Sequence, residues 1–342
     1  MGHPSTATAA PAVAAPAASS VIECLTTRPV VHTQNGPAPE PLRAFTIGGV
    51  HIPISGAPLC LEVCCGTAGL SRALSQAGFR AIGVDRVQIV HCKDITIIVA
   101  NIISADVQDE LLRFLAHPDL AYVHFAPPGG TASRARERPL PEYLQLQGWI
   151  RPEPLRSEQF PLGLPDLHPK HQVRVQAANT IYAIVAKLCS ALRELSVPFT
   201  IENPGRSLFW YIDYIVHLLH LPDVMDCVFD SCMLGGTRAK RTRIRCFPGQ
   251  AFQFLNVLCD QNHAHEPWGS SKHCGGWATS DESEYPSGLC GAIAGVIAEL
   301  CSSRLAQSPP SWLARLHIPT CFQQPDLKCN SAPWFPAPPF VA

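Results

Sequence analysis

Short apolar runs alternate with amphipathic stretches between residues 58 and 305 of the chain. Runs of four to eight apolar residues are typical of buried strands, and apolar positions spaced three or four apart are typical of helices packed on a sheet. The strands are predicted at Pro58–Val63, Ala81–Asp85, Ala121–Ala126, Phe199–Glu202, Met225–Met233 and Thr242–Phe247, and the helices at Leu70–Ala77, Val107–Ala116, His171–Leu195, Leu208–Leu219 and Leu289–Leu305. This alternation predicts an α/β fold with a mostly parallel sheet flanked by helices.

The two ends of the chain differ in composition from its centre. Residues 1–42 are rich in Ala, Pro, Ser and Thr and hold few large apolar side chains, so we predict a disordered Ala/Pro-rich arm. Residues 43–304 form the predicted domain, which includes a long connection at 134–170 and a Cys/His-containing segment at 259–290. Residues 305–342 are predicted to be a Pro-rich C-terminal tail.

Composition limits the classes of protein that the chain can represent. It has 342 residues, of which 46% are hydrophobic and 15% charged, enough to bury a sizeable core. The net charge of −1 is not that of a general nucleic-acid binder, so any such surface must be a local patch. No signal peptide and no apolar run of about 20 residues is evident. We expect reduced thiols at the fifteen cysteines, an intracellular protein of the nucleus or cytoplasm, and no membrane span.

The first predicted strand runs into a turn of small residues and then a helix. Such turns let a ligand lie against the backbone, and the amides at the helix start favour polar or anionic groups. The next strand ends in Asp85, at about the spacing from Glu62 where related folds place a carboxylate on ribose hydroxyls. The predicted ligand-binding residues here are Glu62, Cys65, Gly66, Thr67, Gly69, Leu70 and Asp85. The alternative is a Rossmann unit in which Asp85 only caps or pairs at the surface.

Asp106 follows the next apolar stretch and has two possible roles. It is either the acid that reaches the adenine edge of a bound ligand or the N-cap of the predicted helix that follows. The residues alone do not separate these two roles.

Three further segments carry a family resemblance. They are His124-Phe125-Ala126-Pro127-Pro128-Gly129-Gly130, the strand end Glu202-Asn203-Pro204, and Arg241-Thr242-Arg243 before an apolar run. Together with the turn after Glu62, over residues 57–300, they resemble the ordered motifs of DNA cytosine-5 methyltransferases. The resemblance implies a Rossmann-like class I methyltransferase fold, S-adenosyl-L-methionine as cofactor and DNA as partner.

The resemblance also implies a role for each matching residue. Glu202 is the acid at N3 of the target cytosine, Arg243 contacts the base carbonyl, Arg241 supports the site or a phosphate, and Pro127 shapes the loop beside the cofactor. Gly129 stands where the family has its nucleophilic cysteine, and glycine cannot add to the ring. We therefore expect a catalytically impaired protein. The alternatives are direct transfer to another acceptor and a non-catalytic nucleic-acid-binding or regulatory module.

Each of these assignments has a simpler structural alternative. Glu202 could merely end a strand, and Arg241 and Arg243 could form a solvated basic edge. Arg134, Arg136 and Arg138 follow the Pro-Pro loop and are predicted to hold DNA phosphates, or else to be charges on an exposed loop.

A cluster of thiols and imidazoles lies between the last predicted strand and the last helix. Cys259, His263, His265 and Cys274 offer four ligands of the kind that zinc prefers. The spacing matches no paired finger motif, so the alternative is a polar loop in a Cys-rich chain.

Overall fold

The structure is a computed structural model that describes residues 45–87, 95–270 and 277–307. The predicted arm at 1–42 and residues 308–342 of the predicted tail lie outside these ranges, so both remain predictions. Residues 305–307 of the tail belong instead to the last helix.

Seven strands form the central sheet. A hairpin, β1 (Phe45–Ile47) and β2 (Val50–Ile52), precedes it. The sheet strands are β3 (Leu59–Val63), β4 (Arg80–Asp85), β5 (Thr96–Val99), β6 (Leu120–Phe125), β7 (Phe199–Pro204), β8 (Met225–Asp230) and β9 (Arg241–Phe247). Their order is β5-β4-β3-β6-β7-β9-β8, with β3 to β7 parallel and β9 antiparallel to both of its neighbours. The chain builds outward from β3 through β4 and β5 and then returns to β6 on the other side. Sheets of this kind bind ligands at that switch point, beyond the carboxyl ends of the strands.

Helices cover both faces of the sheet. They are α1 (Gly69–Gln76), α2 (Ala105–Phe114), α3 (Glu142–Leu146), α4 (Pro169–Glu194), α5 (Asp213–His217), α6 (Ala278–Asp281) and α7 (Ser287–Gln307). One apolar cluster joins the sheet to α2 and α4, and a second joins it to α1 and α7. The predicted Rossmann-like α/β class is therefore confirmed.

Several element boundaries differ from the prediction. The strand β5 was not predicted, and the strand predicted at Met225–Met233 ends at Asp230, where the 3-10 turn Ser231–Leu234 follows. The helix predicted at Leu208–Leu219 is wrong as a single element, because extended backbone at Ile212 separates a 3-10 turn from α5. The α4 helix begins at Pro169, a residue that suits the first helical position, and His168 accepts a hydrogen bond from the Lys170 amide.

Helix α4 is a core helix of this domain, although its length and apolar composition would also suit a membrane span. It is long and apolar enough to cross a membrane, but 56% of its most apolar window is buried inside this domain. Burial in the core accounts for the composition, as it does for the central helices of many globular domains.

The long connection at 134–170 is tied to the domain by Arg156. This side chain is 1% exposed and donates hydrogen bonds to Oγ1 of Thr131, Oδ1 of Asn179 and the carbonyl of Pro161. The connection is thus fixed against α4 beside the loop that follows β6.

Candidate functional site

The turn after β3 is held by Glu62. Its Oε2 accepts hydrogen bonds from the backbone amide and the hydroxyl of Ser71, at 2.7 and 2.6 Å. These bonds join the start of α1 to the end of β3, and burial raises the pKa of Glu62 to about 7. Glu62 is therefore an internal anchor of the turn, as are the buried side chains of Cys65 and Leu70.

The backbone of this turn is left-handed at three positions. Cys64, Gly66 and Ala68 have φ angles of +62°, +51° and +54°. This conformation is unfavourable for Cys and Ala, and such strain is typical of ligand-binding turns. A methyl group added at Gly66 would meet no other atom within 4 Å, so the space beside the turn is open.

Asp85 lies against the same turn. Its Oδ2 accepts a hydrogen bond from the Gly66 amide at 3.0 Å, and its Oδ1 accepts one from the Val87 amide at 3.3 Å. The structure therefore brings together the acid and the turn that the sequence predicted to share a ligand. Asp106, by contrast, is exposed at the second position of α2, and the N-cap is Ser104, so Asp106 does not cap this helix.

The loop after β6 contacts the end of β7. The Asn203 side-chain amide donates to the Pro127 carbonyl at 2.9 Å, and the Tyr182 hydroxyl donates to the Pro128 carbonyl at 2.7 Å. A Cβ atom at Gly129 would lie 3.3 Å from Asn203 Oδ1, an atom with no hydrogen-bond partner among the described residues. The backbone at Gly129 is not left-handed, so its conformation does not require glycine.

Glu202 belongs to a buried network of polar side chains. Its Oε2 accepts a hydrogen bond from the Tyr285 hydroxyl at 3.2 Å, and its Oε1 lies 3.8 Å from Nζ of Lys240. The Tyr285 hydroxyl lies 3.0 Å from Nε2 of His124, whose Nδ1 lies 2.7 Å from Oγ1 of Thr200. Burial lowers the pKa of His124 to about 3, which keeps the imidazole neutral. His124 lies opposite Glu62 in the β3–β6 register, so this network adjoins the turn.

Arg243 lies in a groove on the other face of the sheet. Its guanidinium is 3.4 Å from Asp226 Oδ2 and 5.2 Å from the centre of the Trp210 ring. The groove has a volume of about 650 Å³. It is lined by Arg134, Glu137, Gly205, Arg206, Trp210, Tyr211 and Arg243. Arg243 and Glu202 are therefore not brought together on one surface.

The other predicted arginines have partners within the protein. Arg134 pairs with Glu137 and Glu158, and Arg136 donates to the Gly130 and Glu153 carbonyls. Arg138 is exposed directly after the 3-10 turn Arg134–Glu137. Arg241 makes a bidentate ion pair with Asp230, at 3.0 and 2.8 Å. Of these four, only Arg134 lines the groove.

Three of the four predicted metal ligands come together. The ligand atoms of Cys259, His263 and His265 lie within 4.8 Å of one another, and the fourth member of the cluster is Cys232. Cys274, which the sequence offered as the fourth ligand, lies outside the described residues.

Several residues of the site carried no local signal in the sequence. Lys240, Tyr285, Trp210, Arg206 and Cys232 become neighbours of the predicted residues only through the fold. His124 is different, because a histidine inside an apolar strand directly before the Pro-Pro loop could have been singled out.

Comparisons with known proteins add little to this picture. No family model and no curated protein matches the chain. One similar solved structure is an Escherichia coli prophage protein described as a candidate DNA modification methyltransferase, with a TM-score of 0.32 and 12% identity over 56% of this chain and 46% of that one. Another is the methyltransferase EhMeth of Entamoeba histolytica, with a TM-score of 0.31 and 13% identity over 63% of this chain and 58% of that one. The chain thus spans about half the length of each.

Proposed function

We propose that this chain is a methyltransferase-like protein that binds S-adenosylmethionine and nucleic acid but lacks the covalent step of cytosine-5 methylation. The observation that carries the proposal is the hydrogen bond between Asp85 and the Gly66 amide. It sets an acid and a strained, open turn side by side at the switch point of the sheet, where such folds bind nucleoside ligands.

The residues around the turn suit this cofactor. Asp85 uses one acceptor site on each oxygen, and a carboxylate has about four such sites, so acceptors remain for ribose hydroxyls. The Gly66 backbone borders the open space, whereas a Cβ atom at Gly69 would contact Cys290 Sγ at 3.5 Å. Glu62 fixes the shape of the turn through its hydrogen bonds to Ser71. When bound, S-adenosylmethionine would supply a methyl group on a sulfonium.

The groove beside Trp210 suits a nucleic acid. Arg206 and Arg243 supply positive charge and Tyr211 adds an aromatic surface, the combination that holds phosphates and stacks bases. This basic surface is a local patch, as expected for a chain with a net charge of −1. Gly205 lines it, and the preceding residue, Pro204, lies next to Gly129, so a base held in the groove would approach the loop after β6.

The neighbouring cysteines do not replace the thiol that is absent at position 129. Burial raises the pKa of Cys64 to about 12 and raises that of Cys65 as well. Both are therefore neutral thiols near pH 7, and the thiolate is the nucleophilic form.

Calorimetric titration tests the cofactor assignment directly. We expect S-adenosylmethionine to bind the full chain with micromolar affinity and NAD+ not to bind. Asp85→Ala should weaken binding at least about tenfold, as expected from the loss of charged hydrogen bonds. Asp166→Ala, which removes an exposed acid on the long connection, should leave binding unchanged.

Two outcomes would contradict the proposal. Failure of S-adenosylmethionine to bind would leave only a non-catalytic module of the same fold. Transfer of a labelled methyl group to DNA or RNA by the natural chain would instead show an active methyltransferase.

A further inference from the structure

Four side chains with metal-binding atoms converge beside the end of β8. Cys232 lies in the 3-10 turn that follows β8, whereas Cys259, His263 and His265 lie in the segment that follows the 3-10 helix Gly249–Leu255. Their ligand atoms all lie within 4.8 Å of one another. Two parts of the chain that are distant in sequence thus meet at one group of sulfur and nitrogen atoms.

The spacing of these atoms fits a single ion. Nε2 of His263 and Nε2 of His265 are 3.1 Å apart, and Sγ of Cys259 lies 3.4 Å from the second and 3.9 Å from the first. In a tetrahedron with Zn–N of about 2.05 Å and Zn–S of about 2.3 Å, nitrogens are about 3.3 Å apart and sulfur–nitrogen pairs about 3.6 Å. The observed distances scatter around these values.

The surroundings orient the ligands as metal sites usually do. Oδ1 of Asp260 lies 3.6 Å from Nδ1 of His263, the ring nitrogen that faces away from the cluster. A carboxylate near that nitrogen favours the tautomer with a proton on Nδ1, which leaves Nε2 free to bind a metal. Oδ2 of Asp230 accepts a hydrogen bond from the Cys259 amide at 2.9 Å, which fixes the backbone of a second ligand.

We propose that Cys232, Cys259, His263 and His265 bind one zinc ion in a closed tetrahedral site. Two thiolates with two imidazoles favour zinc over calcium or magnesium, which prefer oxygen ligands. Four protein ligands leave no open position, so the ion is structural rather than catalytic. The assignment replaces Cys274 with Cys232 in the set expected from the sequence.

The ion would anchor the segment that carries three of its ligands. The far end of this segment is already fixed, because Glu266 forms an ion pair at 2.8 Å with Arg238, whose side chain is 3% exposed. Zinc would fix the near end to the turn after β8, next to the Asp230–Arg241 ion pair. The metal would therefore hold the end of β8 and the start of β9, the strand whose Arg243 lines the groove.

Metal analysis of the untagged full chain tests the site. We expect about one zinc per chain, and we expect Cys232→Ser and His265→Ala to lose it. Asp260→Asn should lower zinc affinity without abolishing binding. Cys274→Ser, Cys301→Ser and His220→Ala, which change the same residue types outside the proposed ligand set, should keep the zinc.

A measurement on the natural chain tests the site even if the variants fail to fold. Zinc should protect Cys232 and Cys259 from alkylation, and removal of zinc by a chelator should expose both together. Cobalt in place of zinc should give the visible bands of tetrahedral thiolate coordination.

The proposal is overturned if the reduced chain binds neither metal, if alkylation of the two thiols ignores zinc, or if Cys274→Ser loses the metal while Cys232→Ser keeps it. None of these outcomes bears on S-adenosylmethionine binding. That proposed site is at the ends of β3 and β4, which β6, β7 and β9 separate from β8.

Discussion

Glu202 and Arg243 lie on neighbouring strands but project from opposite faces of the sheet. The β7–β9 register pairs Glu202 with Ile244 and Asn203 with Arg243. Residues opposed across an antiparallel pair share a face, and successive residues alternate. Glu202 therefore faces Tyr285, and Arg243 faces the groove. Among the residues that the structure describes, the two share no partner, so we expect the effects of substituting them on the free energy of unfolding to add.

The groove predicts how DNA affinity depends on its arginines. Arg206 is exposed and lines the groove. Arg206→Ala should therefore weaken duplex binding and make the negative slope of log K against log salt less steep by about 0.9, the value for one phosphate contact. Fluorescence anisotropy across a salt series measures both quantities. Arg113→Ala, an exposed arginine on α2, is the control. Equal slopes for the two variants would argue against a phosphate contact in the groove.

The surroundings of Gly129 allow a prediction for a variant with a thiol at this position. Gly129→Cys requires Asn203 Oδ1 to move by a few tenths of an ångström, since a Cβ atom would lie 3.3 Å from it, and the backbone accepts a side chain there. We expect the variant, but neither the natural chain nor Gly129→Ala, to form a covalent adduct with a duplex containing 5-fluorocytosine. Denaturing electrophoresis after incubation with cofactor detects it.

Each alternative result has a distinct meaning. An adduct with the natural chain would show that another nucleophile acts. A Gly129→Cys variant that binds the duplex normally but forms no adduct would show that the site lacks more than the sulfur, for example a carboxylate on the same face as the new thiol.

The sequence was sufficient for the fold because burial controls the pattern of its strands and helices. Five consecutive buried residues in β3 and six in β6 give the apolar runs from which a parallel sheet is predicted. The strand β5 was missed although Ile97, Ile98 and Val99 form an apolar run of the same kind; it is the edge strand of the sheet, and Val99 is half exposed there. The helix at 208–219 was predicted as one element because its apolar spacing persists through the break at Ile212.

The site was predictable only where neighbours in space are neighbours in sequence. The turn at 62–71 and the hydrogen bond from the Gly66 amide to Asp85 belong to one continuous strand–turn–helix–strand unit that ends in this acid. Cys232 and Tyr285 were not predictable in this way, because contacts across the sheet bring them to Cys259 and Glu202. Sequence reasoning also cannot see which face an arginine takes before the register of its strand is known.

Removing the Arg156 side chain should cause a large loss of stability. Its guanidinium has no carboxylate among its hydrogen-bond partners in the described residues, which are Thr131, Asn179 and backbone carbonyls. Arg156→Ala removes a buried donor that these acceptors share, so we expect the free energy of unfolding to fall by about 3 kcal/mol. Urea denaturation measures it. Arg151→Ala, exposed on the same connection, should cost less than about 0.5 kcal/mol, and equal losses would remove the role assigned to Arg156.

Glu62 and His124 are register partners on the neighbouring strands β3 and β6. We expect them to give opposite pH dependences of the free energy of unfolding. Burial raises the pKa of Glu62 from 4.5 to about 7, so its protonation stabilises the fold fully below pH 4.5, and this contribution is lost as pH rises to 7. That difference corresponds to about 3 kcal/mol.

His124 has the reverse sign. Burial lowers its pKa from 6.5 to about 3, so its contribution is present above pH 6.5 and is lost as pH falls toward 3. Between pH 4.5 and 6.5 the two slopes oppose each other and largely cancel in the natural chain. Relative to that chain, Glu62→Gln should gain stability as pH rises and His124→Asn should gain it as pH falls, each by about 1.4 kcal/mol per pH unit. Urea denaturation at several pH values resolves these slopes, and parallel curves for all three proteins would mean that neither group keeps a shifted pKa in the fold.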